Sequence, residues 1–141
     1  MKKPLELFFI LLSLSFLHGC SDNYLSQVNS KSILEKNIGC MKLVVFPPNK
    51  SIENKLNELY PFNANCDLDL VVSYKSSIVC NSNQNAEKKA LGMAKSYLRL
   101  EIKRKNHLLY SYYIDLAHNV SDEDIENGFN VMKDTLPFKL K

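Results

Sequence analysis

The sequence predicts an α+β fold in which a four-stranded, mostly antiparallel sheet carries two helices packed on one face. Three observations support this prediction: segments that alternate apolar and polar residues, two segments with apolar residues at helical spacing, and the order strand-helix-strand-strand-strand-helix. With 141 residues, 45% of them hydrophobic and 23% charged, the chain has the size and composition of one globular domain. Its net charge of +3 is too mild to indicate a nucleic-acid partner, and we expect none.

The first strand and the first helix are predicted on either side of two prolines. Residues 41–46 (MKLVVF) form a short apolar run that indicates a buried strand, and Pro47 and Pro48 end it. Ser51 is predicted to cap the following helix, which ends before Pro61. The apolar residues of this helix recur at helical spacing; they are Ile52, Leu56, Leu59 and Tyr60.

One long strand is predicted for residues 67–80. Its side chains alternate between two faces, as in a half-buried strand. The alternative is a hairpin that turns at Lys75 and Ser76, but the alternation continues unbroken across that point and favours one strand, with or without a bulge. In the polar region that follows, Asn85 is predicted to cap a short helical turn ending at Ala90. The inward face of the strand consists of Leu68, Leu70, Val72, Tyr74, Ser76, Ile78 and Cys80.

Residues 96–116 (SYLRLEIKRKNHLLYSYYIDL) predict a hairpin of two strands. A two-residue loop would pair Ile102 with Leu109, whose side chain points to the wrong face. A three-residue loop formed by Lys105, Asn106 and His107 restores a single apolar face, with Asn106 or His107 in the left-handed conformation. The cross-strand pairs are then Ile102 with Tyr110, Leu100 with Tyr112, and Leu98 with Ile114.

The last predicted element is a helix that begins after Ser121. Ser121 can cap it, and the three acids at 122–124 lie where the helix dipole favours negative charge. Gly128 is a candidate point of close packing, and Pro137 marks the end of the helix. The apolar face of the helix consists of Ile125, Phe129 and Met132.

The N-terminus has the layout of a secretory signal peptide. Two lysines precede an apolar run at residues 7–17, which is too short to span a bilayer. The run leads into Leu17-His18-Gly19-Cys20, which resembles a bacterial lipobox. An ordinary signal peptide or an uncleaved anchor is the alternative.

The lipobox resemblance implies that cleavage precedes Cys20, that the Cys20 thiol carries diacylglycerol, and that its amino group is acylated. Residues 1–19 would then be the signal peptide, residues 20–38 a lipid-anchored tether, and residues 39–141 a single α+β domain. Ser21 resembles the residue found in lipoproteins bound for the outer membrane. We therefore expect a periplasm-facing protein of the bacterial outer membrane, with the inner membrane or the cell surface as alternatives.

Three further cysteines would lie in an oxidising periplasm. Cys40 and Cys66 each directly precede a predicted strand, so they lie side by side if those strands are parallel neighbours. Cys40–Cys66 is the preferred disulfide, which would contribute about 3 kcal/mol by the chain-entropy model. Cys80 is predicted to be a small core residue. A zinc site is not expected because the cysteines lack the close paired spacing of such sites.

The sequence gives no pattern typical of catalysis. His107 and His118 lie about 35 Å apart along the hairpin, because a strand rises about 3.3 Å per residue. A metal held by His118 with Asp115 and residues 122–124 is the alternative to a solvated loop histidine. No Ser, Thr or Cys has a base at a suggestive spacing. We therefore expect no enzymatic activity, no catalytic residue, no metal and no cofactor.

Six residues of the hairpin are candidates for binding. Tyr97, Arg99 and Tyr113 point away from the apolar face, and a basic group continues to the hairpin tip. One interpretation is structural: the tyrosines pack across the strands, and the charged tip prevents strand addition. The other is that these residues bind a partner protein or an anion such as a lipid phosphate. The basic group consists of Arg99, Lys103, Arg104 and Lys105.

The element order over residues 40–136 is similar to that of the lipopolysaccharide-assembly lipoprotein that plugs the outer-membrane translocon. Accessory lipoproteins of transport and secretion systems have comparable small domains. The resemblance implies a non-enzymatic accessory factor that is anchored by its lipid and binds an outer-membrane protein, a transport protein or lipopolysaccharide. A structural or surface lipoprotein without an assembly role, and a small periplasmic enzyme, are the alternative hypotheses.

Overall fold

A computed structural model of the chain describes residues 23–78 and 95–138. Within these ranges a five-stranded mixed sheet packs with two helices, so the predicted α+β class is confirmed. The strand order is β1-β5-β4-β3-β2, in which β2 and β3 are parallel and the other neighbours antiparallel. No helix in the described ranges is long and apolar enough to cross a membrane. The elements are β1 (Tyr24–Val28), a 3-10 turn (Lys31–Ile33), β2 (Lys42–Phe46), α1 (Lys50–Leu59), β3 (Leu68–Lys75), β4 (Ser96–Arg104), β5 (His107–Leu116) and α2 (Asp122–Thr135).

Strand β1 makes the sheet five-stranded, so the prediction of four strands is wrong. The tether predicted for residues 20–38 is also wrong from Tyr24 onward. β1 pairs with β5 from Tyr24 opposite Ile114 to Val28 opposite Tyr110, and Ile33 and Ile38 are buried in the core. The side chains of β1 are largely exposed, which removes the burial pattern that identifies most strands from sequence. Its backbone instead pairs with the edge of β5, where ladder groups would otherwise lack partners.

Helix α1 is capped by Asn49 and not by Ser51 as predicted. The Oδ1 atom of Asn49 accepts hydrogen bonds from the backbone N–H groups of Ser51 and Ile52, at 2.9 and 3.4 Å. Asn49 has extended backbone angles, as a capping residue requires. The helix then buries Ile52 and Leu56, as its spacing predicts.

A disulfide joins Cys40 to Cys66, with their Cα atoms 5.7 Å apart. This is the expected pair, and it lies where parallel strands place it: Lys42, two residues after Cys40, pairs with Asp69. The bond therefore links the entries to β2 and β3 across 26 positions of sequence that include α1.

Strand β3 ends at Lys75, so the long strand predicted through residue 80 is wrong. Ser77 has a φ of 56°, in the left-handed region that interrupts a regular strand. The N–H of Ile78 nevertheless donates to the carbonyl of Lys95 at 2.7 Å, so the backbone stays beside the start of β4. A tight hairpin at Lys75–Ser76 is wrong as well, because the pairing partner of this region begins only at residue 95. Cys80 and the helical turn at 85–90 lie outside the described residues.

The β4–β5 hairpin has the predicted cross-strand pairs but a different loop. Arg104 pairs with His107, which leaves a two-residue turn whose left-handed residue is Lys105, with a φ of 55°. Leu109 is an extra residue on β5, a β-bulge that shifts the register beyond Ile102. The bulge restores the apolar face that a two-residue loop would otherwise reverse. The carbonyl of Leu109 also accepts hydrogen bonds from the N–H groups of Asn29 and Ser30, at 2.8 and 3.1 Å, just after β1 ends.

Helix α2 begins at the predicted cap. Ser121 forms a capping box with Asp124, which satisfies free N–H groups at the helix start. The predicted apolar face of Ile125, Phe129 and Met132 is fully buried. Gly128 lets the helix approach the sheet closely: a Cβ atom there would lie 2.8 Å from Cε1 of Tyr112. The core thus occupies one face of the sheet, between the strands and the two helices.

Candidate functional site

The face of the sheet opposite this core is the outer face, and none of the described helices packs on it. It carries the alternate residues of each strand, so register decides which side chains are neighbours. One row of paired residues crosses the whole sheet, over about 19 Å for five strands at 4.8 Å spacing. This row consists of Leu25, Tyr113, Arg99, Ser73 and Phe46.

Two tyrosines and an arginine form a cluster at the centre of the outer face. The rings of Tyr97 and Tyr113 stack, with centroids 5.9 Å apart and planes 25° apart. The guanidinium carbon of Arg99 lies 5.6 Å from the centroid of Tyr113, within the range of a cation–π contact. The structure therefore brings together the three outward residues predicted as one patch.

The hydroxyl of Tyr113 is held by a neighbouring carboxylate. It donates to Oδ1 of Asp115 at 2.6 Å. This hydrogen bond, followed by partial burial, raises the pKa of Tyr113 above its ordinary value, because both favour the protonated phenol. The ring of Tyr113 is thus fixed by a stacked ring, an arginine and a carboxylate.

Two cations of the outer face, Arg99 and Lys103, already have a carboxylate partner. Nζ of Lys103 lies 2.8 Å from Glu101, and the Arg99 guanidinium lies 3.9 Å from the same side chain. The Glu101 side chain is only 14% exposed, so water screens this network less than it screens a fully exposed pair. Glu101 therefore offsets part of the positive charge that Arg99 and Lys103 present to an external anion.

Exposed apolar side chains stand at both ends of the outer-face row. Leu25 on β1 is 71% exposed and Phe46 on β2 is 69% exposed. Val44 and Val71, in the adjacent row, are half-buried. The outer face thus combines a polar and aromatic centre with apolar edges.

Arg104 and Lys105, the remaining two candidates, lie apart from this network at an open groove of about 580 Å³. We call it the tip groove: residues of the segment 29–32 form one wall, and residues 104–109 at the hairpin tip form the other. The six predicted binding residues thus divide into an outer-face group, which includes Lys103, and a tip-groove pair.

The geometry around His118 does not support the predicted alternative of a metal site there. Nδ1 of His118 lies 2.9 Å from the carbonyl of Asn119 and 3.7 Å from Asp124. The Asp124 carboxylate is already engaged in the capping box of α2. Among the described residues no group of three His, Cys, Asp or Glu side chains is arranged to hold a metal ion.

Several residues of these surfaces are missed by sequence reasoning. Leu25, Ser30 and Ser32 belong to a segment predicted as a tether, and Phe46 was predicted only as the end of a buried strand. A signal exists for Phe46, because a strand ending at two prolines is typical of a sheet edge. No comparable signal exists for Leu25, whose exposure follows from the pairing of β1. Cys20, the predicted lipidation site, lies outside the described residues.

Comparison with known proteins identifies no relative of this chain. No protein family, curated protein or solved structure matches the chain. The surfaces described above are therefore the basis for a functional proposal.

Proposed function

We propose that this chain is a non-enzymatic lipoprotein of the bacterial outer membrane, anchored through Cys20, that faces the periplasm and binds an envelope protein. The observation that carries the proposal is the outer-face cluster of Tyr97, Tyr113 and Arg99, flanked by exposed Leu25 and Phe46. Its role is that of an accessory or assembly factor.

The composition of the outer face favours a protein partner. Tyr and Arg are enriched where proteins bind one another, and stacked tyrosines offer a rigid contact area at low entropic cost. The apolar side chains of Leu25 and Phe46 extend that area to both edges of the sheet. Because Glu101 engages Arg99 and Lys103, a phosphate-bearing lipid such as lipopolysaccharide fits this face less well. Lipopolysaccharide remains the alternative partner.

The proposed location is supported by the N-terminal sequence and by the disulfide. The lipobox-like Leu17-His18-Gly19-Cys20 supplies the anchor and Ser21 the outer-membrane destination. A disulfide between Cys40 and Cys66 suits an oxidising compartment such as the periplasm.

Replacing Cys20 with alanine should abolish incorporation of labelled palmitate, because the acylated thiol and amino group belong to that residue. Cys80→Ala, which leaves Cys20 in place, is the matched control and should keep its label. Labelling that persists in Cys20→Ala would contradict the proposed anchor.

A photo-crosslinking phenylalanine analogue at Phe46 should capture an envelope protein in living cells. Phe46 is a suitable position because it is aromatic, highly exposed and in the same row as Tyr113. The same analogue at Asn130, an exposed position of α2, is the control and should give no such adduct.

Tyr113→Ala should reduce the Phe46 adduct by about tenfold or more, because truncation of a central hot-spot residue costs about 2 kcal/mol or more and every 1.4 kcal/mol is about tenfold in affinity. An adduct of unchanged yield would show that the outer-face cluster does not bind the partner. Adducts to lipopolysaccharide alone would favour the lipid alternative, and equal adducts from both positions would contradict a defined binding face.

A further inference from the structure

The bulge at Leu109 builds the tip groove. Because the Leu109 carbonyl accepts the N–H groups of Asn29 and Ser30, the chain that leaves β1 is fastened beside the hairpin tip. Asn29 is held a second time, since its Nδ2 donates to Oγ of Ser111 at 3.1 Å and to the carbonyl of Gln27 at 3.3 Å. The two walls of the groove are therefore fixed relative to one another.

The groove concentrates basic side chains without acids. Arg104, Lys105 and His107 line it, and no carboxylate is among the lining residues. In the part of the chain that the structure describes, these three side chains form no ion pair, whereas Arg99 and Lys103 share Glu101. Neighbouring cations without a counter-charge create a positive potential that attracts anions.

Hydroxyl groups face these cations from the other wall. Ser30 and Ser32 line the groove, with their Oγ atoms 2.9 Å apart. Hydroxyl donors together with a guanidinium and an ammonium group suit an oxyanion with several acceptor oxygens. A phosphate monoester carries a charge of about −1.5 to −2 at pH 7, which matches the unpaired Arg104 and Lys105.

We propose that the tip groove binds a phosphate monoester carried on a larger molecule. The groove of about 580 Å³ falls within the range of about 300–1,000 Å³ typical of small-molecule sites, and it has room for more than inorganic phosphate. Leu108, which lines the groove and is 36% exposed, offers apolar contact to the rest of the ligand. This site is separate from the outer face, and the inference does not rest on the proposed function.

The test uses the full-length protein labelled with ¹⁵N in a nonionic detergent. Inorganic phosphate, glucose 6-phosphate, a short-chain phosphatidic acid and a short-chain phosphatidylcholine are titrated in turn, and amide shifts are followed. Both monoesters should perturb residues 29–32 and 104–109 and bind more tightly than inorganic phosphate. Tighter binding of phosphatidic acid would identify a lipid headgroup as the source, and tighter binding of glucose 6-phosphate a soluble sugar phosphate. Phosphatidylcholine, a net-neutral diester, should leave these residues unperturbed.

The double variant Arg104→Ser/Lys105→Ser should weaken monoester binding by about tenfold or more, because it removes two charge-assisted contacts. Arg99→Ser/Lys103→Ser removes the same charge from the outer face and should leave the Kd within about twofold, since those cations are paired with Glu101. Equal weakening in both variants would show attraction to net charge alone and would overturn the proposal. Shifts outside the groove, or none with any monoester, would also overturn it. The crosslinking experiment at Phe46 measures protein binding by the outer face, and its outcome does not depend on whether the tip groove binds a monoester.

Discussion

Replacing both Cys40 and Cys66 with alanine should lower the free energy of unfolding by about 3 kcal/mol, since the disulfide closes a loop across 26 positions. For a domain of this size the midpoint of thermal unfolding should fall by about 10 °C or more. Urea unfolding of the oxidised wild type and of the double variant, followed by circular dichroism, measures the difference.

Reductant provides the internal control for this effect. It should destabilise the wild-type protein to about the level of the double variant and should leave the double variant unchanged, because the bond to be reduced is absent there. Peptide mapping of the unreduced protein should recover Cys40 joined to Cys66. A peptide in which either of them is joined to Cys80 would contradict the assignment of the bond.

Replacing Gly128 with alanine should destabilise the domain by up to about 2 kcal/mol, although alanine is the better helix former by about 1 kcal/mol. The new methyl group would lie 2.8 Å from Cε1 of Tyr112 and 3.1 Å from Cδ1 of Leu100. Both side chains are buried, and overpacking of this kind costs about 1–3 kcal/mol. Gly128→Leu should be more destabilising still.

Gly39 offers a matched control for the Gly128 substitution. A Cβ atom at Gly39 would have no neighbour within 4 Å, so Gly39→Ala should change the free energy of unfolding by less than about 0.5 kcal/mol or should stabilise the protein slightly. Stabilisation by Gly128→Ala, measured in the same urea titration, would show that helix propensity outweighs the close approach of α2 to the sheet.

The register of the hairpin could be predicted from the sequence because one face of each strand is buried. Slipping Ile102 by one residue against β5 would turn a whole apolar row outward, and the observed pair with Tyr110 avoids this. Counting residues did not distinguish a three-residue loop from a two-residue turn with a bulge, since both restore the same pairs. The difference depends on Leu109, whose carbonyl accepts hydrogen bonds from Asn29 and Ser30, the two residues that follow β1.

Strand β1 was beyond sequence prediction for a related reason. Its exposed residues have no burial pattern, and the contacts that stabilise it form only once the strand is paired with β5. Oγ of Ser26 lies 2.9 Å from the hydroxyl of Tyr110, and the ring of Tyr24 contacts that of Tyr112, with centroids 5.5 Å apart. Such contacts between distant parts of the chain leave no local signature.

The residues of a candidate site could be predicted as neighbours only where the pairing of the strands that carry them could be predicted. Tyr97, Arg99 and Tyr113 were placed together because hairpin register alone makes them neighbours. The division of the basic group was not predictable, since it depends on how the long side chains of Arg99 and Lys103 converge on Glu101. One wall of the tip groove is the segment 29–32 that directly follows β1, so the groove could not be predicted without that strand.

Because β1 is paired from Tyr24 onward, the chain before it limits the distance between the domain and a lipid on Cys20. A free tether from residue 20 to residue 39 could extend about 65 Å, whereas the four steps from Cys20 to Tyr24 extend at most about 14 Å. If Cys20 carries the proposed lipid, the domain would therefore work next to the bilayer that holds it and would not reach across the periplasm. A partner in the same membrane would meet it by lateral diffusion, at the high effective concentration that confinement to a surface provides.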